Sequence, residues 1–351
     1  MEGALLPYDS VDLSLDKSLL VILDQTQLPE KEVFLQLNEE DDIFDAISTL
    51  KVRGAPAIGI AAAYGLCVVL NRDTSQTLDD LKLRVFDVIA KLESSRPTAV
   101  NLSWALNRMK NRFLESLKLP GITKKKIIDL LYDEANAIKS EDVEMCRSIS
   151  ESGLSFLKPG MGILTHCNAG HIAVSRLGTA LGPVYLAQKE GYGIKVYADE
   201  TRPLLQGARL TAFELMKSGI DVTLICDNMA SSVMEKGWVD VVFVGCDRIA
   251  KNGDVANKIG TSALSVLAKN WGIPFYVFGP SSSIDYKCNS GNDIIIEERP
   301  AYEVTDLWYK KRVAPVGVKV YNPAFDITRA EFITAIITEK GIFKYPYNFN
   351  G

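Results

Sequence analysis

The sequence predicts an α/β protein whose later part is a parallel, doubly wound sheet, and three observations predict it. Short apolar runs alternate with helical patterns from about Pro159 onward: GILTHC, GIKVYA, DVTLIC, VDVVFVG and PFYVFG. Their first apolar residues, Ile163, Ile194, Val222, Val241 and Phe275, are 31, 28, 19 and 34 residues apart, the rhythm of repeated strand–helix–strand units. The 351 residues are 47% hydrophobic and 24% charged, so the chain can bury the core that such a sheet needs.

The earlier part reads differently. LLVILDQ and EVFLQL are short β-like stretches of the kind that make a small antiparallel sheet. Helical patterns follow in EDDIFDAISTLKV, AIGIAAAYGLCVVL, TLDDLKLRVFDVIAKLESS and NLSWALNRMKNRFLESLK. Pro120 and Gly121 in LPGITKK mark a boundary. The expected division is therefore a strand/helix domain over 1–120 and a second domain over 121–351, entered by a linking helix at about 124–157. No low-complexity tract or fixed-period repeat interrupts either part.

Charge and motifs exclude several functions. A net charge of -5 argues against a nucleic-acid partner, which asks for a basic face, while a small phosphate needs only a few converging Arg and Lys. The N-terminal stretch has no basic segment followed by an apolar one, so no signal peptide is expected. The longest apolar run, at 58–70, is too short to span a bilayer, and the chain is expected in the cytoplasm, away from membranes. Six cysteines with no C-x-x-C pair, and only two histidines, argue against structural zinc and read as reduced thiols. The chain lacks G-x-x-x-x-G-K-[ST], H-E-x-x-H, G-x-S-x-G and a clear G-x-G-x-x-G, so nucleotide-dependent phosphoryl transfer, zinc hydrolysis and serine hydrolysis are unsupported.

In a doubly wound sheet ligands bind beyond the carboxyl ends of the strands. The residues there are Cys167 to Gly170, Asp199 to Arg202, Asp227 and Asn228, Gly245 to Arg248, and Pro280 and Ser281; four of the five ends present a carboxylate or a thiol. Cys167 stands where a strand hands over to the helical pattern AGHIAVSRLGTAL. A thiol at a helix N-terminus has a lowered pKa, because the macrodipole and free N–H groups favour the thiolate. The alternative is a buried cysteine that ends a strand; the small, turn-forming Asn-Ala-Gly after it, which lets a ligand approach the backbone, weighs against that. Asp247 follows the apolar VDVVFVGC, surroundings that raise a carboxyl pKa and suit a general acid. A salt bridge to Arg248 or a helix N-cap is the other use for an aspartate there.

The remaining candidates are polar groups near turns. Asn257 and Lys258, in DVANKIGTSALSVLAK, fall at or near the start of a helix, a ready anion site, although a solvated lysine is the commoner case. Arg53, Gly54 and Ala55 open RGAPAIG, a Gly/Pro turn before an apolar helix that either cradles a phosphate or simply turns. Arg96, in SSRPTAVN, precedes a proline and then a helix and can face an anion. Gln206, in RPLLQGARL, is a partner for sugar hydroxyls or a surface residue. His166 and His171 flank Cys167, but His166 is its neighbour on a strand and points to the opposite side; His171 is a supporting polar group only.

Six stretches then carry a resemblance. RGAPAIG (53–59), SSRPTAVNLSWAL (94–106), THCNAG (165–170), ETRPLLQGARLTAFEL (200–215), GCDRIAKNGDVANKIGT (245–261) and NPAFDITRAEFITAIITEKG (322–341) together resemble the methylthioribose-1-phosphate isomerase family, in order and over nearly the whole chain. That family shares a superfamily with ribose-1,5-bisphosphate isomerases and with the regulatory subunits of a eukaryotic initiation exchange factor. The resemblance implies a small N-terminal domain of strands and helices, a larger Rossmann-like C-terminal domain and a homodimer. It implies Cys167 and Asp247 as the catalytic pair, with Arg53, Gly54, Ala55, Arg96, Gln206, Asn257 and Lys258 as substrate contacts. No metal and no cofactor are expected. Two departures, Ile295 where a proline is expected and Cys246 where alanine is common, remove no reactive group.

The activity implied is aldose–ketose isomerisation of 5-methylthioribose 1-phosphate, a small sugar phosphate. A 5-deoxyribose 1-phosphate asks for the same chemistry and an equally apolar pocket at C5. A bisphosphate substrate needs a further cationic patch that these motifs do not supply. A non-catalytic regulatory subunit shares the fold, but both Cys167 and Asp247 stand within their full motifs.

Overall fold

The computed structural model describes residues 6–97 and 99–349; residues 1–5 of the N-terminal stretch, Thr98 of the SSRPTAVN motif, and 350 and 351 lie outside the described residues. The chain forms two units, one of Pro7–Cys146 with His171–Gly178, the other of 147–170 and 179 onward.

The first unit opens with an antiparallel sheet of β1 (Val11–Leu13), β2 (Leu20–Leu23) and β3 (Phe34–Leu37) in that order. β1 was not anticipated, because three residues with one fully buried side chain leave no periodicity to read. Four helices follow where the patterns put them: α1 (Glu40–Ser48), α2 (Ala55–Asn71), α3 (Leu78–Ser94) and α4 (Val100–Ser116). The α3 start is set by Thr77, whose side chain accepts the Asp80 N–H, a standard N-cap. α2 is buried around its whole circumference from Ala57 to Leu70, so its apolar run belongs to a core helix. No helix among the described residues is long and apolar enough to cross a membrane. α5 (Lys124–Leu154) ends three residues before the expected 157. There the N–H groups of Phe156 and Leu157 turn back to the Gly153 and Leu154 carbonyls, and Pro159 disfavours helix at the residue before it.

The second unit carries a seven-stranded sheet in an α/β arrangement. All five apolar runs are strands in it: β4 (Gly162–His166), β5 (Lys195–Asp199), β6 (Asp221–Ile225), β7 (Val241–Val244) and, further on, β10 (Phe275–Phe278). Between them come α6 (Gly182–Lys189), α7 (Ala212–Lys217), α8 (Ala230–Glu235) and α9 (Thr261–Asn270). A second, four-stranded sheet holds β8 (Arg248–Ala250), β9 (Val255–Lys258), β11 (Ile284–Asp285) and β12 (Phe325–Thr328). The short α10 (Tyr302–Thr305) precedes β12, and β13 (Ala335–Thr338) and β14 (Gly341–Phe343) complete the larger sheet. Its order is β14-β13-β10-β7-β4-β5-β6, parallel except for the β13–β14 pair.

Both faces of this sheet are covered. Leu164, Val242, Val244, Val277 and Ile336 pack into one apolar cluster, while Ile163, Val241, Phe243, Phe278 and Ile337 pack into another. Burial on both faces is why β4, β5, β7 and β10 read as continuous apolar runs, whereas β6, at the sheet edge, is largely exposed. The strands of the smaller sheet were missed for the converse reason. They are two to four residues long and carry polar groups such as Arg248, Asn257, Lys258 and Asp326.

Candidate active site

β4 pairs with β5 on one side and β7 on the other, and later strands extend the sheet in opposite directions from there. The crevice at such a reversal, beyond the carboxyl ends, is where an open α/β sheet binds ligands. The register His166↔Val244 makes Cys167 and Gly245 the next positions on two adjacent strands. Their loops touch: a Cβ on Gly245 would lie 2.8 Å from the Ala169 Cβ, so only glycine permits this approach. Asp247 is two residues beyond Gly245, and its N–H donates to the Ala256 carbonyl at 3.0 Å.

Cys167 does not lead into a helix as the sequence pattern implied. A single 3₁₀ turn, His171–Ala173, follows, and α6 starts only at Gly182. No helix N-terminus therefore stands at Cys167. In its place the backbone of Cys167 is left-handed, φ 64°, a region that costs a non-glycine residue about 1–3 kcal/mol and persists only where neighbours enforce it. Its N–H donates to Thr201 Oγ1 at 2.8 Å and its carbonyl accepts from Thr211 Oγ1 at 2.6 Å. Asn168, buried, donates to Thr211 Oγ1 and to Glu214 Oε1.

Asn257 and Lys258 arrive through the β8–β9 hairpin. Its register Arg248↔Ala256 sets Asp247, just before β8, beside them. Lys258 closes β9 and does not open a helix; α9 begins three residues later, at Thr261. Its Nζ donates to the Ala324 carbonyl at 2.8 Å and lies 4.7 Å from the Phe325 ring centroid, a cation–π distance. Asn257 Nδ2 donates to Thr261 Oγ1 at 3.0 Å. Asp326 on β12, outside the expected set, accepts the N–H groups of Gly260 and Ser262 at the α9 N-terminus. The helix N-cap alternative for Asp247 does not hold, because β8 follows it and not a helix; Arg248 also reaches Asp285 at 3.4 Å.

Gln206 is buried, and its Oε1 has no hydrogen-bond partner among the described residues. It precedes a one-turn π-helical stretch, Gly207–Thr211, an irregularity that recurs at functional sites and that here delivers Thr211 to the Cys167 carbonyl. His166 is buried with Nδ1 2.9 Å from Asp199 Oδ2 and Nε2 2.8 Å from the Ile259 carbonyl oxygen, so both ring nitrogens are committed away from a Cys–His dyad. His166, Asp199 and Asp227 hold ligand atoms within 4.8 Å of one another. These atoms already carry hydrogen bonds: Asp227 accepts the N–H groups of Thr201 and Arg202, each at 2.7 Å. Burial pushes the Cys246 thiol up to about 12, and the charge of Glu200 raises that of Cys226; both read as neutral thiols.

The other predicted contacts lie in the first unit. Gly54, φ 101°, is the N-cap of α2, with Ala55 the first helical residue and half-buried Arg53 before it. A Cβ on Gly54 would stand 2.1 Å from the Ala173 carbonyl oxygen, so the turn itself demands glycine. Arg96, half-buried, follows α3, and its carbonyl accepts the Ala99 N–H just ahead of α4. His171 belongs to this unit too, with Nε2 2.6 Å from the Tyr8 carbonyl oxygen, and burial lowers its pKa. Cys167, Gln206, Asp247, Asn257 and Lys258 thus share one unit, and Arg53, Gly54, Ala55 and Arg96 the other. Thr201, Thr211 and Asp326 were missed, although Thr201 and Asp227 stand at strand ends that the apolar runs had marked.

The chain matches a family model, curated relatives and crystal structures. The description "Initiation factor 2 subunit family" matches residues 51–345. A methylthioribose-1-phosphate isomerase of Parabacteroides distasonis is 61% identical over 92% of this chain and 96% of its own length. A 5-deoxyribose 1-phosphate isomerase of Petrotoga mobilis is 57% identical over 94% of each chain. Two crystal structures superpose closely. That of 5-methylthioribose 1-phosphate isomerase from Pyrococcus horikoshii gives a TM-score of 0.91 at 41% identity, covering 99% of this chain and 95% of that one. That of the translation initiation factor eIF-2B, subunit delta, from A. fulgidus gives 0.87 at 44% identity over 97% of each.

Proposed function

We propose a function from one premise: this chain belongs to the initiation factor 2 subunit family, among its methylthioribose-1-phosphate isomerase relatives. The chain is an aldose–ketose isomerase that converts 5-methylthioribose 1-phosphate to 5-methylthioribulose 1-phosphate, a step of methionine salvage. The observation that carries the reading is the register His166↔Val244, which sets Cys167 and the turn to Asp247 on neighbouring strand ends. The strand order supports a Rossmann-like catalytic domain.

The substrate has a particular difficulty. Its anomeric oxygen is esterified, so the ring cannot open to a free aldehyde. In this reading protonated Asp247 gives its proton to the ring oxygen as the bond from C1 to that oxygen breaks. Hydrogen then passes from C2 to C1. In one route the Cys167 thiolate takes the C2 proton, an enol phosphate forms, and C1 is then protonated as the C2 hydroxyl gives its proton to the Asp247 carboxylate. In the other, hydride moves from C2 to C1 while the C2 hydroxyl proton passes to the Asp247 carboxylate, and Cys167 shapes the site. Lys258 holds the phosphate, and the resemblance adds Arg53, Gly54, Ala55 and Arg96 as substrate contacts. Gln206 and Asn257 meet hydroxyls, a role that the buried, unpartnered Gln206 Oε1 supports. Turnover in heavy water separates the routes: deuterium at C1 of the product supports the enol, and its absence counts against the enol. The chain works as a cytoplasmic homodimer, as the resemblance implies, and sedimentation at micromolar concentration tests the dimer.

A second reading, 5-deoxyribose 1-phosphate isomerase, has the Petrotoga mobilis relative in its favour. Proton NMR of the purified protein with each sugar phosphate tests both. A tenfold preference in kcat/KM for the methylthio compound supports the first reading, and the reverse supports the second. Turnover of neither overturns both and leaves the regulatory-subunit reading; the A. fulgidus structure is named as a translation initiation factor subunit.

A further inference from the structure

We infer that Thr201 and Asp227 are positioning residues for Cys167: Thr201 holds the Cys167 backbone in its left-handed conformation, and Asp227 holds Thr201. The inference rests on the reading of Cys167 as a site thiol.

Two neighbouring strand ends carry the same irregularity. Cys167, one residue past β4, has φ 64°, and Thr201, two residues past β5, has φ 66°. A left-handed β-branched residue is a genuine outlier, and each of these two is enforced. The Asp227 carboxylate accepts Thr201 N–H on Oδ1 and Arg202 N–H on Oδ2, both at 2.7 Å. Two charge-assisted bonds to consecutive amides fix that peptide's direction.

Thr201 is then oriented on both sides of its hydroxyl. Its Oγ1 donates to the Asp199 carbonyl at 3.1 Å and accepts Cys167 N–H at 2.8 Å. The hydroxyl proton is committed to Asp199, so the lone pairs face Cys167. Thr201 is fully buried, which shields these bonds from water. Thr211 Oγ1 closes the other side by donating to the Cys167 carbonyl. Cys167 is thus gripped by its N–H and its carbonyl, with no bond in the grip using its sulfur. The grip sets where the thiol stands.

The test uses the full chain in four forms: parent, Thr201→Val, Thr201→Ser and Asp227→Asn. Valine keeps the shape and removes the oxygen; serine keeps the oxygen. Three quantities are read: kcat and KM on methylthioribose 1-phosphate, and the pH profile of Cys167 alkylation by iodoacetamide, resolved by peptide mass spectrometry. The expected result is a roughly 10–100-fold fall in kcat for Thr201→Val, KM within about threefold, and a shifted alkylation profile. Thr201→Ser recovers kcat to within about threefold, and Asp227→Asn moves kcat and the profile in the same direction as valine, by less. Parental kcat and alkylation profile in Thr201→Val overturn the inference, as does a serine variant as impaired as valine. Where Thr201→Val does not fold, Asp227→Asn decides by the same two readouts. Where the parent turns over no sugar phosphate, the isomerase reading fails by itself, and the alkylation profile alone decides the positioning.

Discussion

His166 Nδ1 lies 2.9 Å from Asp199 Oδ2, and His166 Nε2 lies 2.8 Å from the Ile259 carbonyl oxygen. A carbonyl only accepts, so Nε2 carries a proton, and a second proton is shared between Nδ1 and Asp199. Burial works against a charged imidazole, but the Asp199 hydrogen bond and charge override it and raise the His166 pKa. The pair ties the end of β4 to the end of β5 and to the chain just beyond β9, the three places that carry Cys167, Thr201 and Lys258.

Removing one partner strands the other. Asp199→Ala leaves His166 Nδ1 buried without its acceptor, and a broken buried pair costs about 3 kcal/mol or more. Urea unfolding, read as the midpoint at constant slope, measures it. A loss below about 1 kcal/mol is incompatible with a pair that bears on the fold.

Asp142 of α5 gives stability a pH slope. Burial pushes its carboxyl up to about 7 from 3.8, against the Ser175 N–H and the Cys146 thiol that contact it. Between those two pH values the folded chain holds a proton that the unfolded chain has released, so stability falls as pH rises from about 4 to about 7. Asp142→Asn removes the slope. We expect the variant to match the parent near pH 4 and to exceed it at pH 8 by on the order of 3 kcal/mol. Parallel stability curves for the two would refute the shift.

Gly54→Ala has no room. The added Cβ meets the Ala173 carbonyl oxygen at 2.1 Å, and φ is 101°. Strain and overlap together cost at least about 2–3 kcal/mol. Thermal unfolding near the parental Tm, with the crystal backbone unmoved, contradicts that expectation.

Asp247→Asn separates chemistry from binding. Loss of a positioned acid lowers a rate by ~10²–10⁴-fold, so kcat collapses while binding of the sugar phosphate, read by calorimetry, stays within about threefold. Parental kcat in this variant removes Asp247 from the mechanism.

Much of the fold was legible because burial on both faces writes itself as apolar runs. β4, β5, β7 and β10 each follow from such a run, β6 from an apolar run on a largely exposed edge strand, and the residues just past them were readable as the place for chemistry. The same logic marked α2, whose small and apolar residues admit only a core helix. The second sheet was not legible. β8, β9, β11 and β12 are short and carry polar side chains, and neither length nor periodicity distinguishes them from loops.

What the sequence determined by itself was therefore the set of strand ends and the reactive groups on them, since local patterning needs no partner to be read. What only the tertiary structure decided was conformation at those ends. The pattern after Cys167 asked for a helix, and the chain makes a single 3₁₀ turn there. The left-handed backbones of Cys167 and Thr201 depend on Asp227, 26 residues beyond Thr201, and on Thr211, 44 residues beyond Cys167. Hydrogen bonds over such separations outweigh local propensity, because a strained φ costs less than the bonds that enforce it return.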